Sequence, residues 1–153
     1  MGVHAVLVVC VGNICRSPVA AALLQDRLPS VTVQSAGLAA VVGADVDPTA
    51  RAAALAAGTS IPPHRARQFA PELGQRADLI LVLEGAHKRA IVARSPALSG
   101  RVMRLGRWIG DTDIPDPFRK GRPFHDQVFR QMQKAVDGWA VRLQSQELGV
   151  GDV

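Results

Sequence analysis

Near the start of the chain, a thiol, a glycine and an arginine fall within one short stretch, Cys10-Val11-Gly12-Asn13-Ile14-Cys15-Arg16-Ser17. An apolar run, residues 5–9, ends just before this stretch, and an Ala/Leu-rich helical pattern begins just after it. The stretch is therefore predicted to be a loop between a strand and a helix. A thiol held there beside a guanidinium can serve as a nucleophile toward an anionic group such as a phosphate.

Each part of this loop fits the binding of a phosphate. Ser17 precedes a proline, which predicts that a helix starts here with Ser17 as its N-cap. Gly12 and Asn13 tolerate left-handed backbone, so successive amides can turn toward one anion. Arg16 offers a planar fork that matches two phosphate oxygens. The helix N-terminus and the guanidinium together favour the nucleophilic thiolate form of Cys10.

The segment from Val9 to Pro18 resembles the active-site loop of the low-molecular-weight protein-tyrosine phosphatases. The resemblance implies hydrolysis of phosphotyrosine, with Cys10 attacking phosphorus to form a phosphocysteine and Arg16 clamping the phosphate. It also implies a hydrogen bond from the Ser17 hydroxyl to the Cys10 thiolate. The remaining phosphate-binding positions would be Val11, Gly12, Asn13, Ile14, Cys15 and Ser17.

Expulsion of the tyrosyl oxygen requires a proton donor. Asp111, Asp113 and Asp116 precede the last predicted helix, and Asp116 stands between two prolines that stiffen its backbone. On the residues alone, an Asp-Pro pair is better explained as turn chemistry. The segment 114–118 is similar to the family's Asp-Pro-aromatic segment, whose aspartate is the general acid. The resemblance therefore assigns that role to Asp116, with Asp113 as the fallback.

The aromatic residue of that segment is Phe118, and the resemblance implies that it forms a wall beside the substrate ring. A half-buried loop aromatic is the alternative interpretation of Phe118. Many members carry tyrosine here, often two in a row, whereas this chain has Phe118 followed by Arg119. An aryl preference is therefore expected, while the peptide-sequence preference stays open. Residues 38–42 are expected on the opposite rim.

A second segment of the family braces the phosphate loop, and residues 64–68 of this chain resemble it. The resemblance implies support roles for His64, which would hydrogen-bond Asn13, and for Arg67.

Both cysteines lie in the loop, which argues against a disulfide framework. The family also forms a reversible disulfide between such cysteines, so the resemblance permits a protective bond between Cys10 and Cys15.

Composition narrows the class of protein. Hydrophobic residues make up 48% and charged residues 20% of the 153 residues, which is typical of a globular domain, and one domain spanning 1–153 is expected. The net charge of +5 is spread along the chain and aromatics are only 4%, so nucleic acid is not an expected partner. The four histidines show no clustered spacing, so no metal and no cofactor are expected. No signal-like or membrane-spanning segment is evident, and a cytoplasmic location without membrane insertion is expected.

Predicted strands alternate with predicted helices along the whole chain. Strands are expected over 3–9, 31–35, 79–83 and 102–105. Helices are expected over 17–28, 47–57, 71–76, 85–94 and from about 123, the last with an apolar stripe at helical spacing. This alternation predicts an α/β fold with a doubly wound, four-stranded parallel sheet and helices on both faces. The loop after the first strand would lie where ligands bind in such sheets.

Three other functions remain to be weighed against phosphotyrosine hydrolysis. An arsenate reductase of this fold needs further cysteines, and the chain has none after Cys15. A phosphoarginine phosphatase typically has a small polar threonine where this chain has Ile14, which favours a flat aryl ester. A binding module without catalysis would not need Cys10, Arg16, Ser17 and Asp116 together.

The run 116–120 and Trp139 resemble bacterial members paired with a tyrosine kinase of capsule or exopolysaccharide assembly, which implies such a kinase as partner.

Overall fold

Four parallel strands form one sheet, in the order β2-β1-β3-β4. The structure is a computed structural model that describes residues 2–147. The strands are β1 (Ala5–Cys10), β2 (Thr32–Gly37), β3 (Leu79–Val82) and β4 (Val102–Arg104). The chain first adds β2 on one side of β1 and then crosses to add β3 and β4 on the other side. The predicted doubly wound, four-stranded parallel sheet is confirmed, and its strand order reverses beside β1.

Helices cover both faces of this sheet. They are α1 (Arg16–Arg27), α2 (Pro48–Ala56), α3 (Pro71–Gln75), α4 (Gly85–Arg94) and α5 (Arg122–Glu147), with a 3₁₀ helix over Pro96–Arg101 between α4 and β4. Helices α1, α2 and α5 pack together on one face, whereas α4 and the 3₁₀ helix pack on the other. No pattern in the sequence predicted the 3₁₀ helix.

The central strand explains why the N-terminal sequence is a continuous apolar run. Side chains alternate between the two faces of a strand, and both faces here are covered. Val6 and Val8 belong to the core beneath α1 and α5, while Leu7 and Val9 belong to the core beneath α4. All four are at most 2% exposed. A polar residue at any of these positions would therefore be buried without water.

The apolar stripe of α5 lies in the first of these cores, as its spacing predicted. Val128, Met132, Ala135, Val136, Trp139 and Leu143 are buried there, and Phe124 packs against them. The Trp139 indole Nε1 donates a hydrogen bond to the Leu105 carbonyl at 2.9 Å. This bond ties α5 to the end of β4 and satisfies the only polar atom of a large buried side chain.

Strand β2 continues two residues beyond its predicted end, to Gly37. The extension follows from pairing, because Gly37 lies opposite Cys10 in the parallel register of β1 and β2. The amide of Gly37 also donates to the Arg67 carbonyl at 2.9 Å, and its carbonyl accepts from Phe69 N at 2.7 Å.

The expectation of one domain over 1–153 stays a prediction, since residues 1 and 148–153 lie outside the described part. Within residues 2–147, no helix has the length and apolar character needed to cross a membrane.

Candidate active site

The nucleophile candidate, Cys10, is the last residue of β1 and points its side chain toward the start of α1. Its sulfur lies 2.8 Å from the hydroxyl oxygen of Ser17, within hydrogen-bond distance. Cys10 is 3% exposed and Ser17 is fully buried. The sulfur is thus held beside a hydroxyl in a part of the site that is closed to solvent.

The helix that follows the loop begins one residue earlier than predicted. Cys15 is the N-cap of α1, it makes no side-chain cap bond, and Ser17 is the second helical residue. The prediction that Ser17 is the N-cap is therefore wrong. The physical reason is that its hydroxyl is engaged by the Cys10 sulfur and by the Asn13 side chain, so it is not available to the backbone. Pro18 still falls in the first turn, where its missing N–H costs nothing.

Asn13 holds the loop in a shape that most residues resist. Its φ is 58°, in the left-handed region that asparagine tolerates better than other non-glycine residues, and its side chain is fully buried. The side-chain nitrogen donates to Ser17 Oγ at 2.8 Å and to Ser35 Oγ at 3.0 Å. The loop is thus tied through one amide group to both α1 and β2.

His64 and Arg67 complete the support of Asn13, at the positions that the resemblance implied. His64 Nε2 donates to the Asn13 carbonyl at 2.7 Å, and the backbone N–H of Arg67 donates to Asn13 Oδ1 at 2.9 Å. The Arg67 guanidinium does not face the loop, because its Nε donates to the Ser35 carbonyl at 3.0 Å. With the bonds to Ser17 and Ser35, both the nitrogen and the oxygen of the Asn13 side-chain amide have hydrogen-bond partners.

Three successive carbonyls of the loop point toward one neighbouring segment. Those of residues 10, 11 and 12 accept hydrogen bonds from the amides of residues 38, 39 and 41, at 2.9, 2.9 and 3.0 Å. This arrangement turns the opposite side of the peptide units toward the cavity. The close approach requires Gly37, because a Cβ there would lie 2.4 Å from the Val11 carbonyl oxygen. Gly37 was not identified from the sequence as a site residue.

Arg16 lies under the cavity and is 2% exposed. Its Nη1 donates to Glu84 Oε2 at 2.5 Å and to the Ile114 carbonyl at 2.7 Å. Glu84 follows the end of β3, and no motif in the sequence pointed to it. Only the fold brings its carboxylate to a residue 68 positions away in the chain. The ion pair compensates the buried guanidinium and fixes its direction.

Asp116 reaches the same guanidinium from the other side. Its Oδ2 lies 3.8 Å from Arg16 Nη2, and its Oδ1 accepts a hydrogen bond from the Phe118 amide at 3.0 Å. The loop that carries it is fixed by buried Ile114, whose amide donates to the Leu83 carbonyl at 2.8 Å. An anchor at the end of β3 thus holds Asp116 at the edge of the sheet where Cys10 ends.

Asp113, the fallback candidate, is directed elsewhere. Its Oδ1 accepts a hydrogen bond from the Gly85 amide at 2.9 Å, at the start of α4, and pairs with Arg104 at 3.2 Å. The Gly85 hydrogen bond, followed by Arg104, holds the pKa of the Asp113 carboxyl below its ordinary value. Asp113 therefore caps α4 as a carboxylate, and it is not among the residues that line the cavity at Cys10.

Cys15, the second thiol, is 5% exposed and lies beside the same cavity as Cys10. Burial raises the pKa of the Cys15 thiol to about 12, and the negative charges of Asp47 and Asp116 add to the effect. Both cysteines are free thiols. At neutral pH Cys15 is thus a protonated, apolar side chain rather than a second nucleophile.

A cavity of about 210 Å³ opens above this loop. Of the phosphate-binding positions assigned by resemblance, Asn13 and Ser17 do not line it, because they are buried behind the loop. Phe118 and Val41 stand at its mouth, 40% and 51% exposed. Residues 2–147 contain no group of three or more His, Cys, Asp or Glu side chains arranged to hold a metal ion. The full lining is Cys10, Val11, Gly12, Ile14, Cys15, Arg16, Ala39, Val41, Asp116 and Phe118.

Comparison with known proteins places this site in a class. The sequence pattern of the family described as low molecular weight phosphotyrosine protein phosphatase matches residues 5–148. The probable low molecular weight protein-tyrosine-phosphatase EpsP of Ralstonia nicotianae is 45% identical over 143 residues, which cover 94% of this chain and 98% of that protein. The chain belongs to the low molecular weight phosphotyrosine protein phosphatase family. It is an enzyme, a phosphoric monoester hydrolase of the protein-tyrosine-phosphatase class.

Solved structures agree with this assignment. Vibrio vulnificus Wzb, in complex with benzylphosphonate, matches with a TM-score of 0.90 at 38% identity, covering 93% of this chain and 100% of the other. YwlE arginine phosphatase from Geobacillus stearothermophilus matches with a TM-score of 0.88 at 33% identity, covering 95% and 96% of the two chains. The fold is therefore shared by enzymes named for two different phosphoamino acids, and the substrate must be argued from the site.

Proposed function

We propose that the protein hydrolyses phosphotyrosine in proteins through a phosphocysteine intermediate. The observation that carries the proposal is the cavity in which the Cys10 sulfur, the Arg16 guanidinium and the Asp116 carboxyl meet, with an aromatic side chain at the mouth. A thiolate nucleophile, a fixed cation and a proton donor are the three groups that a phosphate monoester needs for this reaction.

In the first step, the Cys10 thiolate attacks phosphorus and the bond from phosphorus to the tyrosyl oxygen breaks. The loop amides and Arg16 bind the three equatorial oxygens, where charge accumulates in the transition state. Glu84 supports this step indirectly, because its bond to Nη1 leaves Nη2 of Arg16 directed toward the cavity and Asp116. The departing oxygen takes a proton from Asp116 and leaves as tyrosine.

In the second step, water attacks the phosphocysteine and the bond from phosphorus to sulfur breaks. Asp116, now a carboxylate, accepts the proton of that water, and inorganic phosphate is released. The thiolate that departs is stabilised by the hydroxyl of Ser17, 2.8 Å away. Asn13 donates to the same hydroxyl oxygen, which leaves the hydroxyl hydrogen available to the sulfur.

Phosphoarginine is the second candidate substrate, because an arginine phosphatase shares the fold. Ile14 argues for the aryl ester: its side chain lines the cavity together with Val11, Val41 and Phe118, so the wall offers apolar contact to a flat ring. Phosphoarginine carries a charged guanidino group that this wall would desolvate without a partner. Side-by-side assays with phosphotyrosine and phosphoarginine peptides test the choice, and faster hydrolysis of phosphoarginine would reverse it.

Catalysis itself is tested by the release of p-nitrophenol from p-nitrophenyl phosphate. Wild-type protein should show a burst of about one equivalent followed by steady turnover. Cys10→Ser should show neither, while Ser35→Ala, which leaves the nucleophile untouched, should keep both. A phosphate-binding module without catalysis would give no burst, and full activity of Cys10→Ser would exclude the phosphocysteine route.

For the biological substrate, we propose a bacterial tyrosine kinase of capsule or exopolysaccharide assembly. The support is the resemblance of residues 116–120 and Trp139 to members of that type. We also propose a cytoplasmic location, because the free thiol of Cys10 persists in a reducing compartment. A pull-down from the protein's own cell lysate with Asp116→Ala tests the partner, and recovery of other phosphoproteins without a kinase would contradict it.

A further inference from the structure

A second and larger cavity, of about 610 Å³, lies beside the candidate active site. Its floor is apolar, formed by Val92, Ala93 and Met103. Its rim carries four cationic side chains: Lys88, Arg89, Arg104 and Arg107. We call this feature the basic groove. The proposed catalytic steps use none of its side chains.

The positive charge of the basic groove is only partly compensated. Arg104 pairs with Asp111 at 3.1 Å and with Asp113 at 3.2 Å, and Arg107 lies 3.5 Å from the same Asp111 carboxylate. Within residues 2–147, the Lys88 side chain takes part in no ion pair or hydrogen bond, and the same is true of Arg89. Two cations thus remain for an anionic partner.

One of the two free cations, Arg89, lies near the paired guanidinium of Arg104. A Cβ at Gly85, at the start of α4, would be 3.4 Å from Arg89 Nη1, 3.8 Å from Arg104 Nη1 and 3.9 Å from Asp113 Oδ1. The guanidinium groups of α4 and β4 therefore approach each other across a position without a side chain. The Asp113 carboxylate pairs with Arg104, whereas Arg89 has no such partner, so a further anion here would lower the repulsion between the two guanidinium groups.

The basic groove is continuous with the candidate active site along the chain. Gly85 follows Glu84, the residue that pairs with Arg16, and it also binds Asp113. Asp113 precedes Ile114, whose carbonyl accepts from Arg16. Residues 84–85 and 113–114 thus link the groove to the Arg16 guanidinium that lines the catalytic cavity.

We propose that the basic groove binds an acidic segment of the phosphotyrosine protein, rich in Asp and Glu and containing apolar residues, while the phosphotyrosine occupies the catalytic cavity. This inference rests on the proposed function. The concave shape and apolar floor fit an extended peptide, and the free cations match its carboxylates. Stacking platforms for bases are lacking, since the aromatic Trp108 next to the groove is already covered by Arg107 and Arg142, whose guanidinium carbons lie 5.3 and 3.6 Å from the ring.

The test uses the charge-reversed variant Lys88→Glu/Arg89→Glu. Its control is Arg130→Glu/Lys134→Glu on α5, which makes the same change in net charge at two exposed positions on the opposite face of the sheet. Fluorescence anisotropy measures binding of a labelled, unphosphorylated acidic peptide, with a single-stranded oligonucleotide of equal charge as competitor. In parallel, kcat/KM is measured for a phosphotyrosine peptide carrying the same acidic segment and for p-nitrophenyl phosphate.

The expected result is a loss of roughly tenfold in peptide affinity and in kcat/KM for the phosphopeptide in the groove variant, since each surface ion pair contributes a factor of a few. The rate with p-nitrophenyl phosphate should not change, and the control variant should behave as wild type. Equal losses in both variants, no loss in either, or stronger binding of the oligonucleotide would overturn the inference. If wild type hydrolyses no phosphotyrosine peptide, the proposed function fails, and the binding measurement alone still decides the groove.

Discussion

The sulfur of Cys10 and the hydroxyl oxygen of Ser17 lie 2.8 Å apart, and both are shielded from solvent. Removing this hydroxyl in Ser17→Ala should lower steady-state kcat by about 10- to 100-fold, because a hydrogen bond to a charged group is worth about 1.5–3 kcal/mol. The burst of p-nitrophenol should persist, since the thiolate becomes a poorer leaving group and phosphoenzyme accumulates. Stopped-flow absorbance gives both values. Ser35→Ala, which removes the other acceptor of the Asn13 amide, is the control and should keep a near-normal kcat.

Two substitutions at Asn13 should separate the energetic cost of its left-handed backbone from the cost of losing its side-chain hydrogen bonds. Asn13→Gly and Asn13→Ala both remove the side-chain bonds to Ser17, Ser35 and Arg67 N. Both variants must keep the backbone φ of 58° at this position. This conformation costs alanine about 1 kcal/mol or more, whereas glycine adopts it without a steric penalty. Urea denaturation should therefore rank the free energy of unfolding as wild type, then glycine, then alanine. An alanine variant as stable as the glycine variant would show that the loop relaxes to another backbone shape.

His87 should make stability depend on pH below neutrality. Burial, followed by the positive charge of Arg16, lowers the pKa of this histidine from its ordinary 6.5. As pH falls below 6.5, the unfolded chain takes up a proton that the folded chain binds less well, so the free energy of unfolding decreases. Above pH 6.5, His87 is neutral in both the folded and the unfolded chain, so it causes no loss of stability there.

Urea denaturation at about pH 7.5 and 5.5 measures the effect of His87. One such group lowers the free energy of unfolding by at most about 1.4 kcal/mol per pH unit. The loss between the two pH values should be smaller in His87→Gln than in wild type. The exposed His4, replaced by glutamine, is the control and should leave the wild-type loss unchanged. An identical loss in wild type and His87→Gln would contradict the assignment.

The two cysteines should differ in reactivity although both are buried. Both line the cavity together with Arg16, but the pKa of the Cys15 thiol is raised to about 12, mainly by burial. Iodoacetamide near neutral pH should therefore label one cysteine, Cys10, and inorganic phosphate should slow the labelling. Peptide mass spectrometry locates the label, and unfolding in urea should make both sites react. Label on Cys15 at a rate equal to that on Cys10 in the folded protein would refute this prediction.

The parts of the site that the sequence predicted are local in the chain or tied to a segment with its own signature. The loop 10–17 lies between a continuous apolar strand and a helix, and those two patterns predicted its place at the edge of the sheet. Asp116 was identified through its two flanking prolines and the family segment around it. The fold followed from the alternation of strands and helices, because a parallel sheet requires a crossover between its strands.

What the sequence did not predict depends on contacts between distant residues. In the sequence, Glu84 is an ordinary residue before a helix, and only the sheet brings it to Arg16. The need for glycine at position 37 follows only from the close approach of the Val11 carbonyl. Ser17 was assigned as an N-cap because serine before proline usually caps a helix. In the folded protein two nearby side chains, Cys10 and Asn13, outcompete the backbone for its hydroxyl.

Detection of the covalent intermediate tests the proposed reaction most directly. Asp116→Ala is mixed with p-nitrophenyl phosphate, whose leaving group departs without a proton donor, and is quenched in acid within the burst. Mass spectrometry should then find one phosphoryl group on the peptide that contains Cys10, and none in the double variant Cys10→Ser/Asp116→Ala. Turnover by the wild type with no phosphoryl group on Cys10 in the quenched Asp116→Ala sample would contradict the account.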